Sequence, residues 1–185
     1  MPTPDRLDFD DDNELIGARV TGARHAGEPF VHARLVDVEL IRCDLAGCDF
    51  SEAAFHRARF VDCRGLGMDL GQATLRTVTF DDCRLDDSNL RLAKLFGVRF
   101  ESSVLARTDF GGAQLTDVSF RGCDLTGADF SNARCANVDL REARLDGLQG
   151  FAAIRGAIVS IDQLPGLAPL MAAALGLEVR ADDDE

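Results

Sequence analysis

The sequence predicts an all-β solenoid, a chain wound into stacked coils, and three regularities carry that prediction. Every fifth residue from Phe30 to Leu145 is Leu or Phe at 22 of 24 positions, with Gly65 and Cys135 the exceptions. Two residues earlier in each five-residue word, from Ala33 to Ala143, 22 of 23 positions hold Ala, Val, Cys, Ser or Thr, and only Met68 departs. Residues twenty apart are also more alike than residues five apart: Phe60, Phe80, Phe100 and Phe120 form one column, and Cys43, Cys63, Cys83, Ser103 and Cys123 another. A period of five fits neither a helix at 3.6 nor a simple strand at 2. A solenoid accommodates it, because each word buries one large and one small side chain against its neighbours. The twenty-residue columns make four words one coil. With coils about 4.8 Å apart, seven coils from about residue 15 give a rod of roughly 34 Å.

The elements follow in chain order. Residues 1–14, with "LDFDDDNE" at 7–14, are expected to form a disordered acidic tail. The repeat body is expected over 15–154, its first coil frayed because the large position degrades to Val20 and His25. Ten of the 17 glycines fall two places after the large residue, a corner position where positive φ is cheap. Gly65 removes one large inward side chain, and Met68, in the same coil on the next wall, is expected to fill the gap. After Gly147 the words stop, and "DQLPGLAPLMAAALG" at 162–176 reads as a helix in two pieces, interrupted at Pro165 and Pro169 and ended by Gly176. A last short strand is expected at 177–179. The segment 155–185 is thus expected to be a C-terminal helical cap with an acidic tail. It would cover the open edge of the rod while Leu164, Leu167, Leu170, Met171 and Leu175 offer an apolar dimerisation face.

Composition narrows the function. Net charge is −12, with 32 acidic against 20 basic residues, which argues against direct binding of nucleic acid or an anionic membrane and favours a basic partner surface. The apolar stretches are too short to span a bilayer, and "MPTPDRLDFDDDNE" lacks the basic and apolar regions of a leader, so a soluble, cytoplasmic protein is expected. Six cysteines make no CxxC pair, five of them stand at the small inward position, and His25, His32 and His56 are scattered as surface or end-coil residues. No metal site or cofactor is expected. An interior filled by Leu and Phe leaves no cleft for catalytic groups, so no catalytic residue is assigned and no enzyme expected.

What remains is the outer surface, which the repeat maps onto four walls. Between residues 33 and 147 the wall of Phe50, Leu70, Leu90, Phe110 and Phe130 carries Asp49, Glu52, Asp69, Asp109 and Asp129 against Arg91 alone. On the wall of Phe55, Leu75, Leu95 and Leu115, Arg34, Arg57, Arg76, Lys94 and Arg134 outnumber Asp37 and Asp117. Asp49, Asp69, Asn89, Asp109 and Asp129 stand in one column at about 4.8 Å steps, comparable with roughly 3.4 Å per phosphate along a DNA strand. A second acidic cluster, Asp81, Asp82, Asp86, Asp87 and Glu101, falls on two neighbouring walls, and Leu92 and Phe96 point outward beside Lys94 as a possible apolar contact.

The words "CDLAG" at 43, "CDFSE" at 48, "CDLTG" at 123 and "ADFSN" at 128 resemble the pentapeptide-repeat family, whose consensus is A(D/N)LXX. The resemblance covers roughly residues 15–147. It implies a right-handed quadrilateral β-helix of pentapeptide repeats, here with a C-terminal α-helical cap. Length, an uninterrupted rod, and "VSIDQ" at 159–163 followed by a helix and "LGL" at 175–177 resemble the actinobacterial Mfp-like branch of the quinolone-resistance proteins, related to the Qnr proteins. That resemblance implies a homodimer joined through its C-terminal helices, a DNA-mimicking rod that binds DNA gyrase or a related type II topoisomerase, and possible resistance to gyrase-targeting antibiotics. The two prolines in the helix and the missing loops depart from the pattern and weigh against drug protection more than against gyrase binding. The alternative is a passive protein–protein interaction scaffold with no topoisomerase target.

Overall fold

A word that buries one large side chain must turn a corner before the next word can bury its own. In the computed structural model, which describes residues 6–180, this gives a parallel β-solenoid of about six turns with a short C-terminal helix. On the Phe55 wall run β1 (Glu14–Ile16), β3 (Arg34–Val36), β5 (Ala54–His56), β7 (Thr74–Arg76) and β9 (Lys94–Phe96). On the next wall, that of Phe60, run β2 (Arg19–Thr21), β4 (Glu39–Ile41), β6 (Arg59–Val61), β8 (Thr79–Asp81) and β10 (Arg99–Glu101). The longer β11 (Gln114–Ser119) and β12 (Arg134–Asp139) turn the corner between both walls. The register step is twenty residues throughout the repeats, as in Leu35 on Phe55 and Phe60 on Phe80, and shortens to nineteen only at the last rung, Asp139 on Ile158. The two remaining walls are ladders of single bridges, among them Asp49 to Asp69 and Asp109 to Asp129.

The large residues fill the interior and stack as rungs. Phe60, Phe80, Phe100 and Phe120 lie 4.5, 4.9 and 5.0 Å apart between ring centres, nearly parallel. Parallel offset rings at that separation add to the area they bury. The small inward position has a second role that the repeat alone does not announce. Cys63 and Cys123 donate their thiols to carbonyls of the preceding coil, Leu40 and Phe100, at 3.3 Å each. Ser88 and Thr108 donate hydroxyls to Gly65 and Leu85 at 2.9 and 3.0 Å. Cys, Ser and Thr recur there because each is small enough to fit and can satisfy a buried acceptor. Burial pushes the Cys48 and Cys123 thiols up to about 11, which keeps them protonated as donors. Among the described residues, all cysteines are free.

The corners demand left-handed backbone whatever residue stands there. Glycines supply part of them, and Arg57, Thr77 and Leu92 adopt φ of 52°, 56° and 58° at the same word position. The ladder on both sides holds these residues in a region they would otherwise avoid. At Gly65 a Cβ would lie 2.8 Å from Leu85 Cδ2, 3.4 Å from Met68 Cε and 3.6 Å from Met68 Sδ. Met68 therefore fills the gap as expected, and Leu85 of the next coil leans in to share it.

Both ends correct the sequence reading. Of the tail expected over 1–14, residues 1–5 lie outside the described residues, while the part from residue 6 is ordered: Leu7 is buried, and Phe9 packs on Phe30 at 5.3 Å between ring centres. Two apolar side chains in an acidic run suffice to fold it over the end of the solenoid. The first coil is not frayed, since Val20 and His25 are buried and β1 and β2 pair in full register. At the other end, 3-10 turns Phe151–Ile154 and Ile161–Gln163 lead into α1 (Leu164–Leu175), one helix rather than two. Pro165 sits in its first turn, where no N–H bond is owed, and Pro169 forfeits one bond on an exposed face. Gln163 pins the cap by donating to the carbonyls of Leu140 and Ala143, both at 2.8 Å. Residues 177–179 form no strand, because no rung lies beside them to pair with. The acidic end at 181–185 lies outside the described residues.

Candidate functional site

The solenoid brings the column together. Asp49, Asp69, Asn89, Asp109 and Asp129 are bridged rung to rung on the Phe50 wall, each partly exposed. Each aspartate Oδ1 accepts the backbone N–H two residues on: Ser51 at 2.9 Å, and Gly71, Gly111 and Ser131 at 2.7 Å. Asn89 does the same for Arg91 at 3.0 Å. The residue before each large side chain therefore shapes its corner as an Asx turn, and leaves the second carboxylate oxygen directed elsewhere. Hydrogen bonds from the Ser51 side chain and backbone hold Asp49 below the usual carboxylate range.

Ion pairs then divide the acidic residues. Among the described residues, Asp49, Asp69, Asp129, Asp82 and Glu101 have no cation within ion-pair distance, whereas Asp109 pairs with Arg91 at 3.1 Å and Glu52 lies 3.7 Å from His32. Asp69 does accept Asn89 Nδ2 at 2.9 Å. In the second cluster Asp81 pairs with Arg59 at 2.9 Å and Asp87 with Arg107 at 2.7 Å. Asp86 is 7% exposed, with Oδ2 lacking a hydrogen bond and Arg84 3.7 Å away. The cluster is thus no continuous extension of the column. Asp81, Asp82 and Glu101 belong to the Phe60 wall, ten residues out of phase with the Phe50 wall and so across the solenoid from it.

Sequence reasoning missed the ion pairs, although the signal was present as opposite charges twenty apart. Arg34 pairs with Glu14, Arg57 with Asp37, Arg64 with Asp44 and Arg107 with Asp87, in each case one coil up or down. The basic wall is thereby partly neutralised, leaving Arg76, Lys94 and Arg134 as its cations without an ion-pair partner among the described residues. Leu92 is 56% exposed at its corner and lies over Gly112, while Phe96 is half-buried beneath Arg76, whose Cζ sits 4.4 Å from the ring centre. Of the five apolar residues assigned to dimerisation, Leu167 is buried and Leu170 packs on the core, so Leu164, Met171 and Leu175 are the ones that face outward.

The same pairs set an acid limit. Hydrogen bonds from Arg57, Arg107 and Arg141 hold Asp37, Asp87 and Asp139 below the ordinary carboxylate range, as those from Ser51 hold Asp49. A carboxylate depressed in the folded state contributes its full stability above its unfolded pKa, about 3.9, and loses it as pH falls through the folded value. These carboxylates are therefore expected to lower the thermal midpoint below about pH 4. A protein whose midpoint rose on acidification would contradict the arrangement.

Among the described residues there is no cluster of His, Cys, Asp and Glu able to hold a metal ion, and no helix long and apolar enough to cross a membrane. Two family models match the chain, one for a pentapeptide repeat region over residues 33–110 and one for pentapeptide repeats in eight copies over 93–132 and 108–147. Together they run from 33 to 147, more than half of the chain, which belongs to the pentapeptide-repeat family. No curated protein matches it in sequence. Similar solved structures include trypsin-treated QnrB1, a plasmid-mediated fluoroquinolone resistance protein, at 23% identity over 91% of this chain and 99% of that one, with a TM-score of 0.43. HetL, a pentapeptide repeat protein involved in heterocyst differentiation regulation in Nostoc, matches at 19% identity over 78% and 90%, TM-score 0.31. A pentapeptide repeat protein of the Arabidopsis thaliana thylakoid lumen matches at 20% over 68% and 74%, TM-score 0.33. These likenesses assign no activity to this chain.

Proposed function

We propose that the protein is a DNA mimic, a cytoplasmic homodimeric rod whose Phe50 wall occupies the basic DNA-binding surface of a type II topoisomerase such as DNA gyrase. It acts by occupancy, without chemistry, and resistance to gyrase-targeting antibiotics would follow from that occupancy. The observation that carries the reading is the column of Asp49, Asp69, Asp109 and Asp129 on bridged rungs, three of them without an ion pair among the described residues. A stiff parallel ladder holds these charges on rungs about 4.8 Å apart, with the neutral Asn89 occupying the rung between Asp69 and Asp109, so binding orders little on this side of the interface. The net charge of −12 adds long-range attraction towards a basic cleft. Leu164, Met171 and Leu175, exposed on the C-terminal helix, supply the face for a second copy.

Gyrase supercoiling in the presence of the purified protein tests this. Inhibition is expected, relieved by added DNA and weakening as salt rises from about 50 to about 200 mM, because exposed charge pairing is screened. Sedimentation of the same sample should give twice 20.0 kDa. Inhibition indifferent to salt would sink the electrostatic reading, and a monomer would sink the dimer.

A second reading, a passive interaction scaffold, is favoured by the Asx turns, which give every aspartate of the column an architectural task regardless of any partner. It predicts no competition with DNA for gyrase at any salt concentration.

A further inference from the structure

The first coil departs from the Leu/Phe rule at Val20 and, more sharply, at His25. In a column that later coils fill with Leu, except at Gly65, stands His25, 2% exposed, with both ring nitrogens engaged. Nε2 lies 2.9 Å from the backbone nitrogen of Leu7, and Nδ1 lies 2.9 Å from Glu28 Oε2. A backbone N–H can only donate, so Nε2 presents its lone pair and the ring proton sits on Nδ1, donated to Glu28. The imidazole meets Phe30 edge-on at 5.4 Å, and Phe9 covers the same ring at 5.3 Å. Residues 7–13 are thereby fastened over the open end of the solenoid. His25 holds one side, and on the other Asp10 accepts from Glu14 N–H at 2.8 Å while Asn13 donates to Val31 O at 3.0 Å.

We infer that His25 is a pH-sensitive latch: neutral, it holds residues 7–13 across the first coil; protonated on both nitrogens, it releases them. Protonation turns Nε2 into a donor facing another donor, and it places a cation in a site closed to water. The charged groups around the ring do not all act alike. Glu28 favours the cation and stays with His25 after release, while Arg24 and Arg6, which line the same opening, oppose it. Asp8 lies 3.8 Å from Arg6 and tempers that charge. From the coil beneath, only Asp44 O and the Cys48 thiol reach His25, both at its backbone. Release uncovers Leu7, Phe9 and Phe30 and frees the outer edge of β1 and β2, which pair on one side only.

The test is amide hydrogen exchange of the full chain by NMR between pH 8 and pH 5, corrected for intrinsic rates. Protection of the Leu7 amide is expected to fall at least about tenfold between pH 8 and pH 5. Gly22, bonded to Ile41 O at 2.9 Å within the ladder, should keep its protection. In a His25→Leu variant the Leu7 amide should show no such pH dependence. Imidazole nitrogen shifts at pH 8 should report the Nδ1–H tautomer, a readout that needs no variant. The Nε2–H tautomer, a Leu7 protection indifferent to pH, or the same fall in His25→Leu would each overturn the latch.

Discussion

Asparagine in place of Asp49, Asp69 and Asp129 together is expected to raise the protein concentration needed for half-inhibition of gyrase at least about tenfold. The thermal midpoint should move by no more than about 3 °C. Asparagine keeps the oxygen that accepts the N–H two residues on, and the chain already demonstrates the exchange at Asn89, which accepts from Arg91 at 3.0 Å. Only the charge is lost. Three exposed pairs with a basic partner at about 0.5 kcal/mol each come to about 1.5 kcal/mol, or roughly tenfold in affinity. Unchanged inhibition in a folded triple variant would show that the column serves its corners alone, which is the scaffold reading.

Met68→Ala is expected to cost about 2–5 kcal/mol in urea unfolding, since it empties the space beside Gly65 that Met68 shares with Leu85. Gly65→Leu alone should also destabilise, by about 1–3 kcal/mol, because the new side chain meets Leu85 Cδ2 and Met68. The double variant should then lose less than the sum of the two, each change relieving the other. Additive losses would mean that Met68 and position 65 do not share one space.

How much of this was legible depended on whether a residue's role was written in its own column. The coils, the walls and the Gly65–Met68 exchange could be read because inward side chains repeat every five and twenty residues. The Asp column could be placed for the same reason. Its hydrogen bonds could not, since the sequence does not say which carboxylate oxygen closes a corner and which faces outward. The ion pairs at twenty-residue spacing, Arg57 with Asp37 for instance, lay in the columns but are invisible when charges are summed wall by wall. Asp86 shows the opposite error: an acidic residue counted as surface is tucked between rungs.

The ends misled because there the repeat no longer informs. His25 reads as a decayed core position, yet two hydrogen bonds make a buried imidazole affordable. Leu7 and Phe9 read as part of an acidic tail, although an end coil with an open edge gives just such residues something to cover. The strand expected at 177–179 does not form, because a strand needs a neighbour and no rung pairs with these residues after the helix.

The register has a consequence for how such a molecule can change over time. Within the repeats each rung is bonded to the one twenty residues along, so deleting a single residue would turn the later inward side chains outward, whereas excising twenty would leave matching faces to rejoin. Length is therefore quantised in storeys of about 4.8 Å. The protein is a ruler graduated by its own backbone, adjustable by whole divisions and by nothing smaller.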